Sequence, residues 1–226
     1  MAEEKLTSEG KCLYCNQLLN KRSIGKHLDK HLNELPKVEG AKAFHVRVEF
    51  DVFFLELLVA GDCTLKKIDG FLRQIWLECC GHLSAFSDKK TRNEVPMTKK
   101  ASAILFKGLV LEYEYDFGST TLLTLKVTEE FALKPKESIT LLSRNEPLAI
   151  MCSTCGKEPA VEMCMICMYE EQAVYCKKCS KKHQKTCADA ADYALMRVVN
   201  SPRMGVCGYA GGSIDKERDG VYVLPK

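Results

Sequence analysis

The sequence predicts an α+β fold in which a central domain, with one helix packed on a curved sheet, is flanked by two small zinc-stabilised modules. Three observations carry this expectation. Residues 44–59 alternate apolar and polar side chains and then run apolar, as strands do. Residues 65–79 repeat apolar side chains at helical spacing. Cysteines and histidines gather toward the two ends in pairs spaced for metal ligation.

Length and composition set the frame. A chain of 226 residues, 46% of them apolar, has room for one central domain and small appendages. The Cys-rich ends are too short to bury cores of their own and need a staple. Thirteen cysteines is an odd number, which does not suit a secreted disulfide framework. The start, Met1-Ala2-Glu3-Glu4-Lys5, is acidic and polar, unlike a signal peptide. The best apolar run, Val52 to Ala60, contains Glu56 and is too short to span a bilayer. A reducing cytoplasm that keeps thiols available for metal is therefore expected. Residues 41–150 balance 15 basic against 15 acidic side chains, whereas residues 151–226 carry 11 against 9. Within that tail Lys177, Lys178, Lys181, Lys182 and Lys185 form a basic cluster, which attracts polyanions in a way a small net charge does not.

The first module is read over residues 10–35. Cys12 and Cys15 lie at i and i+3, as in a tight turn. His27 and His31 lie at i and i+4, on one helix face. Together they form a tetrahedral zinc ligand set. Ser23 is placed to cap the helix, with Ile24, Leu28 and Leu35 continuing its apolar spacing. This segment resembles the two-Cys, two-His (C2H2-type) zinc-finger family, although eleven residues separate Cys15 from His27 where about twelve are usual. The resemblance implies base-facing positions near Asn20, Ser23 and Lys26.

Pro36 to Lys42 reads as a linker. The central domain, residues 43–145, then comprises strands at 44–50 and 53–59 and a helix over 65–79, followed by a polar loop at 88–100. Further strands are read at 109–115, 121–127 and 138–143. Phe44-His-Val-Arg-Val-Glu-Phe50, Thr64-Leu65, His82-Leu83 and Glu114-Tyr115-Asp116-Phe117-Gly118 resemble the plasmid pRiA4b ORF-3-like family. That resemblance implies an α+β fold and a prokaryotic origin, and says little about biochemical role. Asp116-Phe117-Gly118 also spells a kinase motif, but no phosphate loop or His-Arg-Asp loop accompanies it. A turn with a positive φ at Gly118 explains it better. His82 is read as a hydrogen-bonded structural histidine. Cys63, Cys79 and Cys80 lack metal spacing and are read as small apolar side chains.

Residues 150–190 carry the second module. Cys152-x2-Cys155, Cys164-x2-Cys167 and Cys176-x2-Cys179 are followed by His183 and Cys187. Eight ligands make two closed tetrahedral sites. The spacing resembles the cross-braced MYND and B-box modules. The resemblance implies that Cys152, Cys155, Cys176 and Cys179 share one zinc, while Cys164, Cys167, His183 and Cys187 share the other; sequential pairing is the alternative. Residues 191–226 are read as an extended arm and a mobile polar tail, with Cys207 unassigned.

Three zinc ions are thus expected, with the finger and the module unfolding independently of each other. No catalytic motif is recognisable, and a non-enzymatic accessory role follows. The expected partner is DNA or RNA, bound through the zinc modules with Lys26 and the Lys177–Lys185 cluster. A protein-interaction adaptor acting through the C-terminal module is the alternative.

Overall fold

A computed structural model describes residues 8–224, so Pro225 and Lys226, the last two residues of the expected arm and tail, lie outside it. In chain order, β1 (Glu9–Lys11) and β2 (Leu18–Asn20) form an antiparallel hairpin whose loop holds Cys12 and Cys15. Helix α1 (Ile24–Glu34) follows. Asn20 starts it by accepting the backbone N–H groups of Arg22 and Ser23, both at 3.0 Å. Ser23 holds the N-cap position but makes no side-chain cap; its hydroxyl donates to the Asn20 carbonyl instead. The helix ends at Leu35, whose backbone is extended before Pro36.

The strands β3 (Ala43–Phe50), β4 (Phe53–Ala60), β5 (Ser84–Asp88), β6 (Glu94–Val95), β7 (Val110–Tyr115), β8 (Thr121–Phe131) and β9 (Ile139–Arg144) form one sheet. It is antiparallel throughout, in the order β6-β5-β7-β8-β3-β4-β9. Between β4 and β5 lies α2 (Leu65–Leu72), which widens into a π-helical turn at Arg73–Leu77. The expected helix over 65–79 therefore stops being α-helical at Leu72. The short α3 (Ala101–Ile104) precedes β7. Within the otherwise irregular stretch 88–100, β6 pairs with β5.

The described residues divide into two compact units: residues 8–73 with 82–145, and residues 74–81 with 146–224. The expected boundaries between finger, linker and central domain fall inside the first unit. Ile24, Leu28 and Leu32 of α1 are buried in one cluster with Cys12, Ala43, Phe54, Leu58, Phe131, Leu133 and Leu142. The finger is thus built into the sheet domain and does not flank it. A polar link reinforces the seam. His45 on β3 lies 2.7 Å from Asp29 of α1 and 3.0 Å from Glu56 of β4, and Arg47 Nε donates to Glu56 at 2.8 Å.

The sheet has a helix on each face. His45, Arg47, Glu56 and Leu58 share the face that meets α1, by strand register and alternation. Tyr113 alternates onto the opposite face with Leu123, Leu125 and Val127. Its hydroxyl donates to Asp69 of α2 at 2.7 Å. The single-helix layer expected from sequence is therefore one of two, because the finger supplies the other. Asp69 is almost fully buried, and it also accepts from Arg73 at 2.9 Å and from Ser84 at 2.7 Å. In the turn at residues 116–119, the positive φ of 66° falls at Asp116 and not at Gly118. Asp tolerates it because its side chain accepts the N–H groups of Gly118 and Ser119.

In the second unit, β10 (Glu162–Cys164), β11 (Val174–Tyr175) and β12 (Leu195–Arg197) form a small antiparallel sheet in the order β11-β10-β12. Helices α4 (Lys177–His183) and α5 (Ala188–Asp192) lie between β11 and β12, and a 3-10 turn spans Cys167–Tyr169. The tail expected to be mobile is tied down through residue 219. Ser201 Oγ donates to the Trp76 carbonyl at 2.7 Å, Ser213 N donates to the Gln74 carbonyl at 2.7 Å, and Asp215 pairs with Arg218. Among the described residues no helix is long and apolar enough to cross a membrane.

Candidate metal centres

A tetrahedral zinc ion with bonds of about 2.05 Å to nitrogen and about 2.3 Å to sulfur places its ligands about 3.3 Å apart for an N–N edge and about 3.8 Å for an S–S edge. The donor separations can be read against those lengths.

In the finger, the β1–β2 loop brings Cys12 and Cys15 to one turn of α1, where His27 and His31 stand at i and i+4. His27 Nε2 is 3.2 Å from His31 Nε2 and 3.2 Å from Cys15 Sγ. All four donor atoms lie within 4.8 Å of one another. Burial, His31 and Lys30 push His27 down, which favours the neutral imidazole with its lone pair. Burial pushes the Cys12 thiol up, against the opposing backbone N–H groups of Cys15 and Tyr14. Tyr14 stacks on His31 with ring centroids 5.3 Å apart, which fixes that ring's plane.

The second unit assembles two more groups. Cys152, Cys155, Cys176 and Cys179 form one, and Cys164, Cys167, His183 and Cys187 form the other, each with donor atoms within 4.8 Å. The grouping follows the cross-braced order; neighbouring pairs in sequence do not share a group. Strand pairing explains this: β10 lies between β11 and β12, so the pair that follows β11 doubles back to the first pair. In the second group, Cys167 Sγ is 3.6 Å from His183 Nε2 and 3.9 Å from Cys187 Sγ, close to zinc tetrahedron edges. Tyr175 stacks on His183 at 4.4 Å. Burial pushes the Cys152 thiol up, but the backbone N–H groups of Cys176, Cys155 and Thr154 outweigh it and bring the thiol to about 6. It is thus ready to ligate at neutral pH. Cys179 and Cys167 are pushed up to about 12, first by burial and then by their thiol neighbours. Thiolates this close repel one another, and a shared divalent cation removes the conflict. The apolar cluster around these donors consists largely of the same cysteines, with Ala173, Tyr175, Ala190 and Ala194, and the same unit also holds a separate apolar cluster of Ala160, Met163 and Val198.

The basic residues lie outside these centres. Lys177, Lys178, Lys181, Lys182 and Lys185 are all exposed, while Cys179 and Ser180 on the same helix are buried. Lys26 is exposed on α1. Of the other two finger positions implied to face bases, Asn20 and Ser23 make the internal bonds that start α1.

No family model matches the chain, and no curated protein matches it. Among solved structures, a protein of unknown function from Methanosarcina mazei Go1 is 16% identical. The match covers 46% of this chain and 67% of that one, with a TM-score of 0.37.

A further group had been read differently from sequence. Cys79, Cys80 and Cys207 also bring their sulfurs within 4.8 Å of one another. Cys80 is exposed, which does not suit a small apolar packing residue, and Cys207, left unassigned, meets it here. Cys63 does fit that reading: it is fully buried, and burial pushes its thiol up to about 11. The signal available in sequence was the pair Cys79-Cys80, together with an otherwise unexplained Cys207.

Proposed function

We propose that this chain is a zinc-binding, non-enzymatic accessory protein that binds nucleic acid through its C-terminal zinc module, with the Lys177–Lys185 cluster as the contact surface. The observation that carries this reading is the disposition of α4. Its cysteine and serine point inward, and five ammonium groups around them point outward. Two zinc ions, one bound through Cys176 and Cys179 and the other through His183 and Cys187, would hold that short helix rigid, so the charges would meet phosphates without first being ordered. Tyr169 and Tyr193, 86% and 65% exposed, offer ring faces on which unpaired bases stack. A non-enzymatic role is supported by the ligand sets themselves. Each zinc in the finger and module would have four protein donors, leaving no position for a reactive water. The finger's part is mainly architectural on this reading, with Lys26 an outlying phosphate contact.

Salt-dependent binding to duplex DNA, single-stranded DNA and RNA tests the proposal. Changing Lys178, Lys181 and Lys182 to Gln should weaken binding and flatten the slope of log K against log salt by roughly two to three units. Zinc content should stay unchanged, since no ligand is touched. An unchanged slope in a zinc-replete variant would refute the assignment of the cluster. A second reading, a protein-interaction adaptor, is favoured by Ile166 and Met168, which are exposed beside Tyr169 on the module. It takes precedence if the wild-type protein binds no nucleic acid at low salt.

A further inference from the structure

The π-helical turn at Arg73–Leu77 leads into Glu78-Cys79-Cys80-Gly81, and the arm returns to this segment 127 residues later at Cys207. Cys79, Cys80 and Cys207 belong to one compact unit. Their sulfurs are arranged like ligands around one centre. Cys79 Sγ lies 3.8 Å from Cys80 Sγ, and Cys80 Sγ lies 3.4 Å from Cys207 Sγ. These separations lie near the S–S edge of about 3.8 Å around zinc and well beyond a disulfide bond of about 2.05 Å.

We propose that the thiolates of Cys79, Cys80 and Cys207 hold a fourth zinc ion, apart from those of the finger and the module. Two further observations point the same way. Arg203 is fully buried, and its Nη2 lies 3.8 Å from Cys79 Sγ. Zinc with three thiolates carries a net charge of −1, which one guanidinium balances in the interior. Cys207 also holds a φ of 52°, between Gly205 at 77° and Gly208 at 67°. This left-handed backbone is unusual for a residue with a side chain, and here it aims the thiol at Cys80. Bound zinc would close the loop from residue 79 to residue 207 and lock the arm onto the Gln74–Gly81 segment.

The test uses the full chain, purified reduced with zinc present. Elemental analysis should give four zinc ions per chain, falling to three in the double variant Cys80→Ser/Cys207→Ser. Native alkylation with iodoacetamide, mapped by peptide mass spectrometry, requires no variant. Cys80 and Cys207 should resist modification although both are exposed, and should react once a strong chelator is added. Fast alkylation of both in zinc-replete protein overturns the proposal, as does a Cys80–Cys207 disulfide formed with zinc present. Unchanged zinc content in the double variant overturns it too. If the variant does not fold, the wild-type alkylation map decides. The map reads Cys12, Cys152 and Cys164 separately, so failure here is distinguishable from failure of the finger or module sites.

Discussion

Leu28→Ala tests whether the finger is part of the sheet domain. Leu28 is fully buried on α1, in the cluster with Cys12, Phe54, Leu58, Phe131 and Leu142. It ligates nothing, so the substitution should leave the zinc donors in place. Burying a leucine contributes about 1.5–3 kcal/mol, and the cavity left behind raises the cost of truncation to about 2–5 kcal/mol. In a free-standing finger that cost would fall on residues 8–35 alone. Here the cavity opens against β4, β8 and β9, so the whole first unit should lose stability. Hydrogen exchange of the full chain reads this directly. Amides of β3, β4 and β8 that exchange through global opening should speed up roughly 30-fold to several thousand-fold, since each 1.4 kcal/mol is tenfold. Trp76 belongs to the other unit, which makes its fluorescence a poor reporter of this change. Faster exchange confined to residues 8–35, with 43–60 and 121–131 at wild-type rates, would refute the reasoning.

Burial alone would push His45 down, but hydrogen bonds and charge from Asp29 and Glu56 outweigh it and raise it to about 9. A folded value above the unfolded value of about 6.5 means that the stabilisation is complete below pH 6.5 and is lost as pH rises through 9. His45→Gln should therefore cost about 3 kcal/mol at pH 6 and progressively less toward pH 10. Urea midpoints of both proteins across that range check this, and a pH-independent difference would contradict it. Gly10→Ala should destabilise the first unit by about 1–3 kcal/mol. The added methyl would sit 2.6 Å from Phe54 and 2.9 Å from the Arg144 carbonyl, and thermal unfolding measures the loss. Cys164→Ser should remove at least one zinc and loosen the packing around Ala173, Tyr175, Ala190 and Ala194, read as faster exchange there while β3 and β8 keep their protection, because that apolar cluster consists mainly of ligand cysteines.

The parts legible from sequence are those coded by short spacing. Cys12/Cys15, His27/His31 and the three Cys-x2-Cys pairs are local patterns, and a turn or a helix suffices to make each a ligand pair. Strands β3, β4, β7, β8 and β9 were legible because alternation reports a face directly. Strand β5 was not: Ser84-Ala85-Phe86-Ser87-Asp88 has one buried apolar residue, Phe86, too little for a period. Asn20 escaped notice as the residue that starts α1, since Ser23 stands in the expected place and the choice between them depends on the turn's geometry.

The sequence by itself determined the twelve ligand residues, though not which pairs share a centre in the module, together with the α+β character and the outward lysines of α4, since alternation with buried ligands leaves those side chains no other direction. Only the tertiary structure decided the rest. The docking of α1 on the sheet depends on matching Ile24, Leu28 and Leu32 to Phe54, Leu58 and Phe131, residues far apart in the chain whose complementarity has no sequence period. The convergence of Cys79 and Cys80 with Cys207 spans 127 residues. No local spacing encodes such a meeting; it follows from strand order and the path of the arm, which cooperative packing of the whole chain selects.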